Sequence, residues 1–110
     1  MTLEAELDAA VDDDIEFSFS VTNTSTEQLK LTFSSGYRGD VVVERDGETV
    51  WRWSDGRMFT QAIQHARLAP GETLTESFVW SSPSPGQYEA RATLEADTEA
   101  SARATFTVDS

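Results

Sequence analysis

Apolar and polar residues alternate with a period of two along most of this chain, and a helical period is nearly absent. Leu3, Ala5, Leu7, Ala9 and Val11 share one parity, and Glu4, Glu6, Asp8 and Ala10 take the other. Ile15, Phe17, Phe19 and Val21 alternate with Glu16, Ser18, Ser20 and Thr22. Leu29, Leu31 and Phe33 alternate with Lys30, Thr32 and Ser34. Each run predicts a β-strand with one dry and one wet face. Asn23-Thr24-Ser25-Thr26 reads as a turn between two of them. After the loop at 35–39, the β-branched run Val41-Val42-Val43 predicts a strand over 40–45. Asp46-Gly47 then predicts a hairpin, because both residue types accept the positive φ of a type I′ turn. The returning strand is expected over 49–53, and Ser54-Asp55-Gly56 breaks it.

Residues 61–68 alternate less cleanly. Ala69-Pro70-Gly71-Glu72 predicts a tight turn, 73–80 a strand, and the twice-proline segment 81–86 a loop. Tyr88, Ala90, Ala92 and Leu94, then Ala102, Ala104, Phe106 and Val108, mark the last two strands. About eight or nine short strands with regular turn signals predict an all-β fold, an antiparallel β-sandwich formed as a single domain over 1–110. Packing the dry faces together makes the core, with Phe17, Phe19, Phe33, Phe78 and Phe106 as its main contributors.

Composition narrows the functional classes. The 110 residues include no cysteine, which excludes disulfides and thiolate metal sites and fits a reducing cytoplasm. Met1-Thr2-Leu3-Glu4-Ala5-Glu6 has neither a basic region nor an apolar run, so no signal peptide is expected. No stretch approaches the roughly 18 apolar residues of a membrane span. With 20 acidic and 8 basic residues the net charge is −12. Such a surface repels nucleic acid and anionic lipid, so neither is expected as a partner. Lys30 is the one lysine, the other basic residues being arginine. Acidic residues spread over the whole chain suit high salt, where self-repulsion is screened, and point to a halophilic, haloarchaeal source.

Catalytic chemistry finds little footing. His65 is the sole histidine, and no serine lies in a nucleophile-elbow pattern. Asp12-Asp13-Asp14 lacks the ligand spacing of a calcium loop and reads as an acidic turn. No phosphate loop, dinucleotide fingerprint or zinc spacing is present, so no cofactor, no metal and no enzymatic activity are expected.

The unusual segment is Val50-Trp51-Arg52-Trp53-Ser54-Asp55-Gly56-Arg57-Met58-Phe59-Thr60-Gln61. It gathers two of the three tryptophans with a phenylalanine, a methionine and two arginines in an otherwise acidic chain. Trp51 and Trp53 share a parity and should lie on one sheet face, with Arg52 on the other. One reading places Trp51 in the core and lets Phe59 plug the end of the sandwich. The functional reading makes Trp53, Ser54, Asp55, Gly56, Arg57, Met58, Phe59 and Thr60 an exposed protein-binding loop, since aromatic, Met and Arg side chains are enriched in interfaces. A third reading uses Trp51 and Trp53 as a carbohydrate-stacking platform.

This string resembles the signature of the intracellular proteinase inhibitor BsuPI family. Phe17-Ser18-Phe19-Ser20-Val21-Thr22-Asn23 resembles the family's early strand ending in Asn, Leu68-Ala69-Pro70-Gly71-Glu72 its turn, and Pro85-Gly86-Gln87-Tyr88 the start of its late strand. The likeness runs from about Ile15 to Leu94. It implies an immunoglobulin-like sandwich and, for the founding members, inhibition of a cytoplasmic subtilisin-type serine protease. A loop held rigid by the sandwich would then occlude the protease cleft, pairing as an added strand and filling one pocket with Met58 or Phe59. Ser81-Ser82-Pro83-Ser84-Pro85 is the second candidate loop. The alternative function is a non-inhibitory adaptor or assembly module that binds another protein. A charged surface favours a monomer.

Overall fold

The computed structural model describes residues 3–109. Met1, Thr2 and Ser110, on which the expectation of no signal peptide and the expected 1–110 domain limits partly rest, lie outside the described residues. Among the described residues there are nine strands and no helix: β1 Leu3–Val11, β2 Ile15–Asn23, β3 Leu29–Phe33, β4 Gly39–Arg45, β5 Glu48–Arg52, β6 Gln64–Leu68, β7 Thr73–Trp80, β8 Gly86–Leu94 and β9 Ser101–Val108. Among the described residues no helix is long and apolar enough to cross a membrane.

Every strand pairing is antiparallel. One sheet has the order β1-β2-β7, a second β5-β4-β8-β9, and β3 pairs with β6. The alternation explains why these layers face each other. Ile15, Phe17, Phe19 and Val21 turn one side of β2 inward, each at most 1 % exposed. Val41 and Val43 of β4 and Ala90 and Ala92 of β8 answer them at 0 % from the opposite sheet. Leu31 and Phe33 of β3, Leu68 of β6, Phe78 of β7 and Phe106 of β9 complete one continuous core. β1 and β9 lie side by side and close one flank of the sandwich.

Local structure departs from the simple rhythm at three places. Of residues 61–68, whose alternation is less clean, the ladder takes Gln64–Leu68; Thr60 is held by a neighbouring loop and 61–63 stay outside it. Val42 faces outward yet is only 7 % exposed, standing in register between Arg52 and Arg91. Long arginine stems can cover such a position while their charged heads stay in water. Glu76 shares the inward parity of Leu74, Phe78 and Trp80. Arg38 answers it with Nε 3.4 Å from the carboxylate, its guanidinium lying 4.7 Å above the Phe33 ring.

The turns follow their residues. Asp46 takes φ 52, as the first central position of a type I′ hairpin requires. The acidic turn between β1 and β2 is structural: Asp14 accepts a hydrogen bond from the Ser82 amide at 3.1 Å. Asn23, fully buried, closes β2. Its amide donates to the carbonyls of Glu27 (2.8 Å) and Leu68 (2.9 Å), and its oxygen accepts from the Ser25 amide and hydroxyl.

Candidate functional site

β5 ends at Arg52, and the chain then runs through residues 53–63 before β6 begins. This loop is anchored at its start by a buried carboxylate. Asp40, 2 % exposed near the start of β4, accepts hydrogen bonds from the Ser54 amide (3.1 Å), the Ser54 hydroxyl (2.7 Å), the Tyr37 hydroxyl (2.5 Å) and its neighbour's amide, Val41 N (2.9 Å). The Arg52 guanidinium adds an ion pair at 3.6 Å. A buried charge is tolerable only when paired and hydrogen-bonded in this way. Burial, and next the bond to Asp40, push the Tyr37 phenol above its usual pKa.

The loop then folds over its own base. Trp53 N donates to the Val41 carbonyl at 2.9 Å, and the indole packs edge-on against Phe78 at 4.8 Å between centroids. Gly56 adopts φ 75, a left-handed turn that favours glycine. Arg57 turns back: its amide donates to the Ser54 carbonyl (3.2 Å), its Nε to the Trp53 carbonyl (2.8 Å), and its guanidinium lies 4.4 Å above the Trp53 ring. Phe59 inserts between Tyr37 (4.8 Å) and Trp53 (5.7 Å). The Gly36 amide donates to the Thr60 carbonyl at 2.9 Å. Any larger residue at 36 would collide here, since its Cβ would stand 2.7 Å from Thr60 Oγ1.

Met58 sits between these anchors and is 97 % exposed. Ile63, further along, is 66 % exposed. Met58 and Phe59, interchangeable by sequence, therefore differ in kind: Met58 points to solvent and Phe59 plugs the base of the loop. Ser54 is half-buried against Asp40, whereas Asp55, Gly56, Arg57 and Thr60 are exposed. Trp51 stacks between Phe17 (6.1 Å) and Trp80 (5.7 Å). Both tryptophans share one face, but they do not form an open carbohydrate platform. Trp51 is sandwiched by aromatic rings, and Trp53 is covered by Arg57 and Phe59.

The other candidates are placed apart from this site. Ser81–Pro85 joins β7 to β8 beside the acidic β1–β2 turn, with Ser82 bound to Asp14. His65 is exposed on β6, its Nδ1 3.3 Å from Thr32 Oγ1. Among the described residues no three His, Cys, Asp or Glu side chains cluster so as to hold a metal ion. An open groove of about 1170 Å³ lined by Leu3, Glu4, Arg91, Glu95 and Arg103 shares no residue with the loop.

Asp40 was not singled out by the sequence. Its signal was slight: an acidic residue opening a run of three valines, fourteen residues before Ser54. The same holds for Tyr37 and Gly36, which read as generic loop residues.

A family model described as BsuPI, intracellular proteinase inhibitor, matches residues 2–99. No curated protein matches the chain in sequence. Among solved structures, the CARDB domain of a Pyrococcus furiosus protein, in complex with di-metal ions, is similar with a TM-score of 0.53 at 18 % identity, covering 97 % of this chain and 92 % of that one. A β-glucosidase from Kluyveromyces marxianus reaches 0.54 at 19 % identity, over 99 % of this chain and 14 % of its own. A penta-heme cytochrome c552 from Thermochromatium tepidum reaches 0.58 at 10 % identity, over 96 % and 40 %. At such identities the likeness concerns the sandwich fold alone.

Proposed function

Because this chain belongs to the BsuPI family of intracellular proteinase inhibitors, we propose that it inhibits an intracellular subtilisin-type serine protease by lodging the 53–63 loop in the protease cleft, with Met58 in a pocket for a large apolar side chain. On this reading residues 1–110 act as one domain, a cytoplasmic monomer whose partner is the protease. The observation that carries the proposal is the contrast at Met58: a side chain 97 % exposed between two residues that are each tied to the scaffold.

A lone exposed apolar residue needs no explanation. An exposed one on a pinned loop does, because pinning removes much of the ordering cost of binding, about 0.5–1.5 kcal/mol for each side chain that would otherwise be immobilised. Burying a Met side chain fully in a pocket contributes about 1.5–3 kcal/mol, or roughly one to two decades of affinity.

The test is a titration of a subtilisin-type protease, in molar KCl, with the wild type and Met58→Asp. Phe59→Asp is a poor probe, since Phe59 supports the loop. Met58→Asp should stay folded by circular dichroism and inhibit at least about 30-fold more weakly, the scale of an interface hot spot. Equal inhibition by a folded Met58→Asp would remove this loop from the mechanism. Absence of inhibition by the wild type would remove the activity itself.

A further inference from the structure

We infer that the Met58–Phe59 peptide bond is the bond presented to the protease, and that the fold lets this bond be cut and remade. The inference rests on the inhibitor reading above and specifies how the same loop resists its target.

The tethering is two-sided. On the amino side of the bond, Arg57 is fastened by two hydrogen bonds to Ser54 and Trp53 carbonyls and by its stack on the indole. Ser54 is in turn fastened to the buried Asp40. On the carboxyl side, Phe59 is wedged between Tyr37 and Trp53, and Thr60 is bound to Gly36. Trp53 touches both halves, so it bridges the bond through side-chain packing. Between the two sets of tethers Met58 projects into solvent, free to enter a pocket.

This arrangement dictates the chemistry of an encounter. The protease serine oxygen attacks the Met58 carbonyl carbon, the carbon–nitrogen bond to Phe59 breaks, and the departing amine takes up a proton. An ordinary substrate would lose that amine to solvent. Here the Phe59 ring and the Thr60 carbonyl hold it beside the acyl ester. Its effective concentration stays high, as for any tethered reactant. The amine attacks the ester carbon, expels the serine and restores the peptide. Water competes and adds across the bond, leaving a Met58 carboxylate and a Phe59 ammonium. The nicked chain keeps its shape, rebinds and is resealed by the reverse path.

The full chain is incubated with a catalytic amount of a subtilisin-type protease it inhibits, and products are followed by intact mass and N-terminal sequencing. The expected result is a species one water heavier, with a new N-terminus at Phe59, that stops at a plateau with intact chain still present. Purified nicked chain should return to the same plateau and still inhibit. Gly36→Ala, which crowds Thr60, and Phe59→Ala, which frees the new amine, should each be cut at the same bond but run to completion with loss of inhibition. Inhibition with no cut, a cut elsewhere, a wild-type cut that runs to completion, or a plateau unchanged in both variants would overturn the inference and leave the inhibitor reading standing. A wild type that does not inhibit would overturn both.

Discussion

Replacing Asp40 with alanine tests whether one buried carboxylate holds the loop. Asp40 accepts four hydrogen bonds, two from backbone amides and two from hydroxyls, and pairs with Arg52. Removing it leaves the Val41 and Ser54 amides without their acceptor, at about 1–3 kcal/mol for each donor that water cannot reach. The half-buried hydroxyls of Tyr37 and Ser54 can turn toward solvent, so their loss is smaller. Relief from desolvating the carboxylate offsets part of the total. The net expectation is a loss of about 3 kcal/mol, near the low end for breaking a buried pair. Urea unfolding in molar KCl should show a midpoint lower by roughly 1–3 M at unchanged slope. Asp40→Asn keeps the shape: its oxygen can still accept from both amides and its NH2 can donate to the two hydroxyls, though the Arg52 pair is lost, so it should cost only about 1 kcal/mol, the charge-assisted part of those interactions. Trp53 emission should shift in the alanine variant, because Ser54 is the residue next to it. A loss below about 1 kcal/mol in Asp40→Ala, or unchanged Trp53 emission, would refute the anchoring argument.

Three further outcomes follow from the packing and the charge. Phe19→Ala, at a position 0 % exposed, should lower stability by about 3–5 kcal/mol in the same assay. The Tyr37 phenol has a folded pKa above its unfolded value, so its contribution is complete below the unfolded pKa of about 10 and is lost as pH rises above that. Tyr37→Phe should therefore lose stability less steeply than the wild type between about pH 9 and 12, read from urea midpoints. With a net charge of −12, the melting temperature should rise from low salt to molar KCl, where the screening length falls to about 3 Å; a fall would speak against adaptation to salt.

Much of the sandwich could be read from the residues because one physical rule decides it. Ile15, Phe17, Phe19 and Val21 sit at every second position, and a pleated strand must put such a set on one face. The hairpin at Asp46-Gly47 was legible for a local reason too, the positive φ of its first residue. Glu76 was not: its parity with Leu74, Phe78 and Trp80 turns it inward, but the Arg38 that answers it lies in a distant loop. The loop from Trp53 to Thr60 stood out by its aromatic and cationic residues, yet the contrast between Met58 and Phe59 did not. That contrast depends on Tyr37 and Gly36, which the chain brings back from some twenty residues earlier. The alternation that makes a strand is periodic and local in sequence; anchoring of a loop is neither.

Asp40 sharpens the meaning of that anchoring. The chain carries 20 acidic residues, and among the described residues Asp40 is the carboxylate drawn fully out of water, sharing the buried polar class with Asn23 alone. An acidic surface has no need of an inward-turned carboxylate, and an apolar residue at the same place would avoid the cost of desolvation. What an apolar residue could not do is select a conformation. Asp40 has four donors at fixed angles, and two of them belong to Ser54, five positions before Phe59. Any other course of the 53–63 loop would strip that charge of half its hydrogen bonds. The expense of burying Asp40 is thus matched to a gain in definition at Met58, where a binding loop benefits most from having one shape before its partner arrives.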